Sequence, residues 1–351
     1  MKVCKITELT EKDIVAKPVM TEDYQVLLAE GTVLKKEYIE KLQEFYIREV
    51  WIEDTADSPT EEFTEEQALI LKDKTGIIIR DKVKDILEHH TYQQGKELIE
   101  LCKAADSIIT DILQEEKIVE KIFDIKQRNS DIYEHSVCIC TLATIIAVKM
   151  KLPLTHTHDM AVGCLLHDLG LRYITIDYNN RNIEELEEAE REEYKKHPIY
   201  GYSAVEKEDW LSDISKQIIL NHHENLNGGG YPLKMRTMGI ESQIASVCDV
   251  FDEIICGIGY RRLKIYEAVE YMKSYIMNCY QKEIVTMFLE FTAVYPIGSK
   301  VLLNDGREAK VIKQNDNFPD RPILQLTKNK DGDSKIDLLE KRHIFIDKVL
   351  D

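Results

Sequence analysis

The sequence predicts a mainly α-helical chain: a helical bundle core, preceded by a small α/β module and followed by a small β-domain. Three observations predict it. From Asn129 to about residue 290, apolar residues recur at helical spacing in runs separated by turn residues. After Tyr295 the texture changes to short alternating runs bounded by Gly, Pro or Asn, the mark of strands: Lys300–Leu303, Ala309–Ile312 and Ile323–Leu326. The first 54 residues hold two short strand-like runs around one amphipathic segment. With 351 residues, 44% of them hydrophobic, the chain can bury the cores of two or three domains.

In chain order, Gln25–Leu28 and Glu49–Ile52 read as strands, with Tyr38, Ile39, Leu42 and Phe45 on the apolar face of a helix between them. The acid-rich stretch Asp54–Glu66, with Pro59, reads as a linker. Ala68 to about Lys126 is helical by period; it either links module to core or mediates a homodimer, and both stay open. His135–Met150 is apolar almost all round, so it is expected to be a buried helix. Asp159–His167 is another, with Gly170 suited to its C-terminus. Ile183–Lys196 is charged enough for a surface helix. Leu211–His223 and Ile240–Cys256 complete the core, the latter with Asp249 embedded among apolar neighbours. The expected boundaries are 1–54, 55–128, 129–290 and 291–351.

Composition excludes some functions. A net charge of −18 disfavours a nucleic-acid polymer as partner, since such binding rests on neutralising phosphates. A small anionic substrate would need concentrated local cations, and bound metals supply them. No run of eighteen apolar residues predicts a membrane span, and Met1-Lys2-Val3-Cys4-Lys5 lacks a signal-peptide core. Eight scattered cysteines without a CxxC pair read as reduced, buried side chains of a cytoplasmic protein.

The chemistry lies in an ordered series: His135, His167-Asp168, His197, His222-His223-Glu224, then Asp249. Imidazole and carboxylate are ligands for first-row metals. Asp131 stands four residues before His135, on the same face if both are helical. Any one of these histidines alone is better read as a hydrogen-bonded core or surface residue. Together they point to a site with more than one metal, because an apolar core has no use for such doublets. An ionised Asp249 in its apolar stretch is costly unless a cation pairs with it.

That order, with the loop His222-His223-Glu224-Asn225-Leu226-Asn227-Gly228-Gly229-Gly230-Tyr231-Pro232, resembles the HD-GYP family of phosphohydrolases that open cyclic di-GMP. The resemblance spans about Asn129 to Tyr275 and implies an all-helical HD-type bundle. It implies two or three divalent metals, iron or manganese, held by His135, His167, Asp168, His197, His222, His223 and Asp249, with Asp131 for a third. Asp168 would bridge, and with His167 would be catalytic, through a metal-bridging hydroxide that attacks phosphorus. Gly230, Tyr231, Pro232, Tyr260 and Arg261 would contact the cyclic dinucleotide, giving linear pGpG and then GMP. Protein partners would dock on the N-terminal module.

Departures fall on the substrate side. The family's HDxGK lysine is Leu171 here, and RPYR reads Ile258-Gly259-Tyr260-Arg261. Asn227 and Gly229 replace an Asp and a Ser. The alternatives are therefore a weakly active module that senses a nucleotide or a protein, or a phosphohydrolase for another small ester. Restoring the cation by Leu171→Lys is expected to raise turnover.

Overall fold

In a computed structural model of the chain, the described residues are 96–113, 131–327 and 335–350, with short stretches and single positions between 2 and 52. The chain divides into two compact units, Met1–Thr64 and Glu65–Asp351.

In the first unit, β1 (Lys2–Lys5) pairs antiparallel with β4 (Glu49–Ile52), and β2 (Val19–Met20) with β3 (Val26–Leu28). Leu34, Leu42, Val50 and Ile52 are almost fully buried and form its core, with Tyr38 and Ile39 packed against them. The two expected strands are present. β1 and β2 were not anticipated, being short and carrying little apolar signal. The expected linker 54–66 lies outside the described residues, as does the 68–126 segment except for α1 (Lys96–Leu113). Ala104, Ala105, Ile108, Ile109 and Ile112 of α1 make a buried stripe of helical period.

The second unit is a helical core followed by a sheet. Its helices are α2 (Ile132–Lys149), α3 (Leu154–Leu166), α4 (Glu188–Tyr194), α5 (His197–Val205), α6 (Asp213–Asn221), α7 (Ile240–Cys256), α8 (Ile265–Ser274) and α9 (Lys282–Phe291). α2 packs on α3 and α7, α3 packs on α6, and α5 packs on α6 and on the 3-10 turn Leu169–Tyr173. Local signals set the ends. Ser212 caps α6 by accepting from Ser215 N, and Gly257 closes α7 in the left-handed region at φ 81°. By length and composition α2 could cross a bilayer, but 61% of it is buried inside the protein. Ringed by α1, α3, α7 and α9, it is a core helix.

Two expectations need correction. Gly170 does not serve as a left-handed cap: it has no room for a side chain, since a Cβ there would lie 1.9 Å from His197 O and 2.7 Å from Gly201 N. It lets the 3-10 turn press against α5. Ile183–Lys196 is not one surface helix but a 3-10 turn (Ile183–Glu185), an extended break and α4. Ile183, Leu186 and Tyr194 turn inward and build a small apolar cluster with Leu171 and Ile174.

The C-terminal sheet is antiparallel, in the order β8-β7-β6-β5-β9, with β5 Lys300–Leu303, β6 Glu308–Asn315, β7 Phe318–Leu326, β8 Lys335–Asp337 and β9 Ile346–Val349. Val301, Leu303, Ala309, Val311, Leu324 and Leu326 alternate onto its buried face. β5, β6 and β7 contain the three alternating runs read from the sequence. β8 has three residues, and Ile346-Asp347-Lys348-Val349 of β9 does not alternate.

Candidate metal centre

Four helices deliver the five imidazoles, His222 and His223 together at the end of α6. His135 lies one turn into α2 and is fully buried. Its Nδ1–H donates to the Asp252 carboxylate at 2.7 Å. His167, at the end of α3, donates Nδ1–H to Cys164 O at 2.7 Å; His197, opening α5, does so to Tyr194 O at 2.9 Å. His222, closing α6, gives Nδ1–H to the carbonyls of Ile218 and Ile219 at 3.2 and 3.1 Å. A carbonyl or carboxylate can only accept, so in each neutral ring the proton sits on Nδ1 and Nε2 keeps a lone pair.

Those lone pairs face one another. His135 Nε2 and His167 Nε2 are 3.3 Å apart; His197 Nε2 is 3.1 Å from His222 Nε2 and 3.1 Å from His223 Nε2. Two lone pairs cannot hydrogen-bond, so each approach calls for a proton or a metal cation between the rings. Asp168 lies between the two groups. Its Oδ2 is 3.3 Å from His167 Nε2 and 3.6 Å from His135 Nε2, and its Oδ1 is 3.5 Å from His197 Nε2 and 3.7 Å from His222 Nε2. Asp249 Oδ1 is 3.1 Å from His135 Nε2 and 3.4 Å from His167 Nε2. Donor atoms of His135, His167 and Asp249 fall within 4.8 Å of one another, as do those of Asp168, His197, His222 and His223. Asp168 Oδ2 and both oxygens of Asp249 are buried without a hydrogen-bond donor. In a native interior such atoms need a partner, and a divalent cation fits this donor set.

The proton affinities agree. Burial disfavours charge on Asp168, yet the His167, His197 and His135 imidazoles override it and hold its carboxyl far below the usual range. Asp249 is held low in the same way, against burial, by His135 and His167. Burial likewise opposes charge on His135 and His167, but Asp249 and Asp252 raise the first, and Asp168 and Asp249 the second. Burial, with His167 nearby, pushes His222 down to about 3, and burial with His222 pushes His223 well down. Burial also lowers His197, against the pull of Asp168. Three imidazoles are thus neutral and ready to ligate, while two share protons with carboxylates until a metal displaces them.

Asp131 is not brought into either group. It is the N-cap of α2, at φ −144° and ψ 108°, so the same-face argument for it and His135 does not apply. Its Oδ1 accepts from Tyr133 N at 3.0 Å and Glu134 N at 3.1 Å. Asp168, His167 and the other expected ligands do converge.

The loop after α6 is clasped from beneath by Glu224, which is fully buried. Its carboxylate accepts from Leu233 N and, at 2.8 Å, from Met235 N. Gly230 allows close approach: a Cβ would lie 2.5 Å from Glu224 Cα and 2.6 Å from His223 O. Asn227 and Asn225 brace the loop by accepting from Gly229 N at 2.7 and 3.1 Å. Tyr231, joined to Pro232 by a cis bond, stacks on His223 with ring centroids 4.6 Å apart. Gly230, Tyr231 and Pro232 therefore border the centre.

Tyr260 packs against the core, and burial followed by the Glu253 charge raises its phenol. Arg261 points elsewhere: its side chain is 71% exposed and pairs with Glu185 at 2.6 Å. Leu171 and Ile258 are buried in apolar surroundings. Residues missed in the sequence are Asp252, Glu253 and Lys195, while Glu224, read there as part of the histidine series, holds the loop. The first two carry the signal that singled out Asp249, a carboxylate inside an apolar helical run. Lys195 lies with Nζ 5.6 Å from the Tyr231 ring centroid and 2.8 Å from Glu184.

Residues 117–284 match the HD domain family, and residues 300–351 match the KOW domain associated with HD domains. A cyclic di-GMP phosphodiesterase of Pseudomonas aeruginosa is 26% identical over 212 residues, covering 60% of this chain and 51% of that protein. Another, of Borreliella burgdorferi, is 27% identical over 229 residues, covering 62% and 59%; a third, of Thermotoga maritima, is 27% identical over 216 residues, covering 57% of each. The chain thus spans between half and three-fifths of the length of these relatives. Among solved structures, the HDG"Y"P protein Bd1817 of Bdellovibrio bacteriovorus shares the fold, with a TM-score of 0.56 at 18% identity over 82% of this chain and 98% of that one.

Proposed function

We propose that this chain, whose residues 117–284 match the HD domain family, is a metal-dependent phosphodiesterase of the HD-GYP type that opens cyclic di-GMP to linear pGpG and then to GMP. One observation carries the reading: imidazole lone pairs meet in two groups, with the two oxygens of Asp168 turned one to each. In this reading His135, His167 and Asp249 hold one divalent metal, His197, His222 and His223 hold another, and Asp168 is shared. Iron or manganese suits the mixed imidazole and carboxylate set. When bound, such a pair supplies an activated water and neutralises phosphate charge.

The protein's own groups have separate tasks. Asp252 orients the His135 ring and Glu224 holds the Gly230-Tyr231-Pro232 loop against His223. The Tyr194 and Tyr231 hydroxyls, both buried without a hydrogen-bond partner, are available donors for a phosphate oxygen. The Lys195 ammonium at the edge of Tyr231 offers charge to the outer phosphate.

A second reading has its own observation. Leu171 and Ile258 are not merely uncharged but packed into apolar clusters, which favours a nucleotide sensor or a phosphohydrolase for a smaller ester. The test is turnover of cyclic di-GMP by chain purified without oxygen and loaded with Mn²⁺ or Fe²⁺. Metal-dependent linear product is expected. Tight nucleotide binding without product would put the sensor in place of the enzyme.

A further inference from the structure

The departures on the substrate side meet at one side chain. Tyr194 closes α4 and is only 1% exposed. Its ring belongs to the apolar cluster that holds Leu171, where the family has lysine. Its hydroxyl oxygen lies 2.7 Å from the point that a Cβ on Gly259 would occupy, in the segment where the family reads RPYR. Gly259 sits at φ 64°, which proline cannot adopt, and any side chain there would strike the phenol. Glycine in place of proline therefore makes room for the Tyr194 hydroxyl, one residue from Ile258, where the arginine is missing.

That hydroxyl is an orphan. It is buried without a hydrogen-bond partner, an arrangement that destabilises the fold. Packing alone does not call for it, since phenylalanine would fill the same volume without a stranded oxygen. The ring is also fixed against the centre: it meets the His197 ring edge-on with centroids 5.0 Å apart, and Tyr194 O accepts from His197 Nδ1. Burial raises the phenol well above its ordinary value, so it keeps its proton to donate. A buried donor left unbonded in the unliganded chain points to a partner that comes with the ligand.

The cover over it is a short turn at residues 257–259, with Gly257 and Gly259 both in the left-handed region. Main-chain bonds tie it down: Asn180 N donates to Gly257 O at 2.6 Å, Gly259 N to Tyr178 O at 3.1 Å, and Ile183 N to Gly259 O at 3.0 Å. We infer that the Tyr194 hydroxyl donates to a nonbridging oxygen of the bound phosphate, reached when the ligand lifts this turn, and so stands in for the lysine and arginine that this chain lacks. The inference deepens the phosphodiesterase reading above and rests on it. Being neutral, the donor orients the phosphate without adding charge, which suits the single charge of a phosphodiester.

The test is Tyr194→Phe in the full-length chain loaded with Mn²⁺, with calorimetric titration of inorganic phosphate and turnover of cyclic di-GMP measured side by side. The variant is expected to hold as much Mn²⁺ as the native chain and to unfold at an equal or higher denaturant midpoint. It should bind phosphate about tenfold to a hundredfold more weakly and lose kcat/KM to a similar degree. In the native chain, phosphate is expected to speed amide exchange at Gly259 and Ile183. Equal phosphate affinity in the two proteins would overturn the inference, whatever happens to turnover. So would a lowered midpoint with lost metal, which marks a structural role, or exchange at Gly259 and Ile183 that phosphate leaves unchanged. A native chain that binds phosphate but does not cleave cyclic di-GMP would remove the phosphodiesterase reading, and the phosphate affinity of Tyr194→Phe would still decide the donor. A native chain that does neither would remove both.

Discussion

Where the centre faces the helical core, four imidazole rings have their outward nitrogen held, by Asp252 or by a backbone carbonyl one turn back. On the substrate-side positions, Leu171 packs in a small apolar cluster, Ile258 in the main core, and Arg261 pairs with Glu185 at the surface. The contrast teaches that the two sides answer to different pressures. A metal ligand cannot drift without leaving a buried lone pair or carboxylate unsatisfied, at about 1–3 kcal/mol or more each. A phosphate contact made only when substrate arrives has no such penalty, so it can be replaced by packing that stabilises the resting fold.

The largest test of the inward side is Asp168→Ala. Removing the shared carboxylate is expected to cut bound metal to less than half and turnover by about a thousandfold or more. Full metal occupancy in that variant, read by elemental analysis, would break the inward half of the contrast.

Leu171→Lys tests the outward side. A cation near the scissile phosphate can contribute about 3 kcal/mol, or on the order of a hundredfold in rate. The structure adds a cost: the new ammonium starts inside an apolar cluster with Ile174, Ile183, Leu186 and Tyr194, so folding stability should fall by about 2 kcal/mol. Turnover at equal metal loading, paired with a denaturant midpoint, separates the two. A stability loss with no gain in rate would mean that the pocket is built for a different ligand.

Asp252→Asn sharpens the inward side. Its oxygen still accepts from His135 Nδ1, but the charge that makes the ring a better ligand is lost. Metal affinity should drop about tenfold to a hundredfold, with the fold intact. Unchanged affinity would show that Asp252 is only a packing residue.

The smallest effect is in protons. His135 and His167 are raised above the ordinary imidazole value by their carboxylates, so in the metal-free protein they hold a proton to higher pH than a free imidazole does. Their stabilisation of that state is complete below about pH 6.5 and is lost as pH rises through their elevated values. A metal needs the neutral rings, so its affinity moves the other way and grows with pH. Metal loading should release protons from these two rings, measurable by calorimetry in buffers of different ionisation heat. No release would mean that all five rings are already neutral.

Much of this was legible beforehand. α7 and the strand β5 match their expected bounds because helical and alternating periods are local properties of the chain. The ligand positions that converge were readable as well, since a carboxylate or histidine doublet in an apolar run is costly there unless it holds a cation. The same reasoning could have found Asp252 and Glu253, which sit beside Asp249 on the same helix. It could also have found Asp131 in a capping role, because an Asp with Glu134 three residues on, ahead of an apolar run, is a helix-start signal.

By itself, then, the sequence determined the main helices and strands, which residues carry imidazole and carboxylate into the core, and that this donor set suits a divalent metal. The periods and donor types behind those conclusions are written residue by residue. Only the tertiary structure decided where lone pairs point, which face of Asp168 meets which ring, and that Leu171 packs rather than binds. Those facts depend on how α2, α3, α5, α6 and α7 meet, and a 3 Å contact between residues up to 117 positions apart leaves no mark on either one's neighbours.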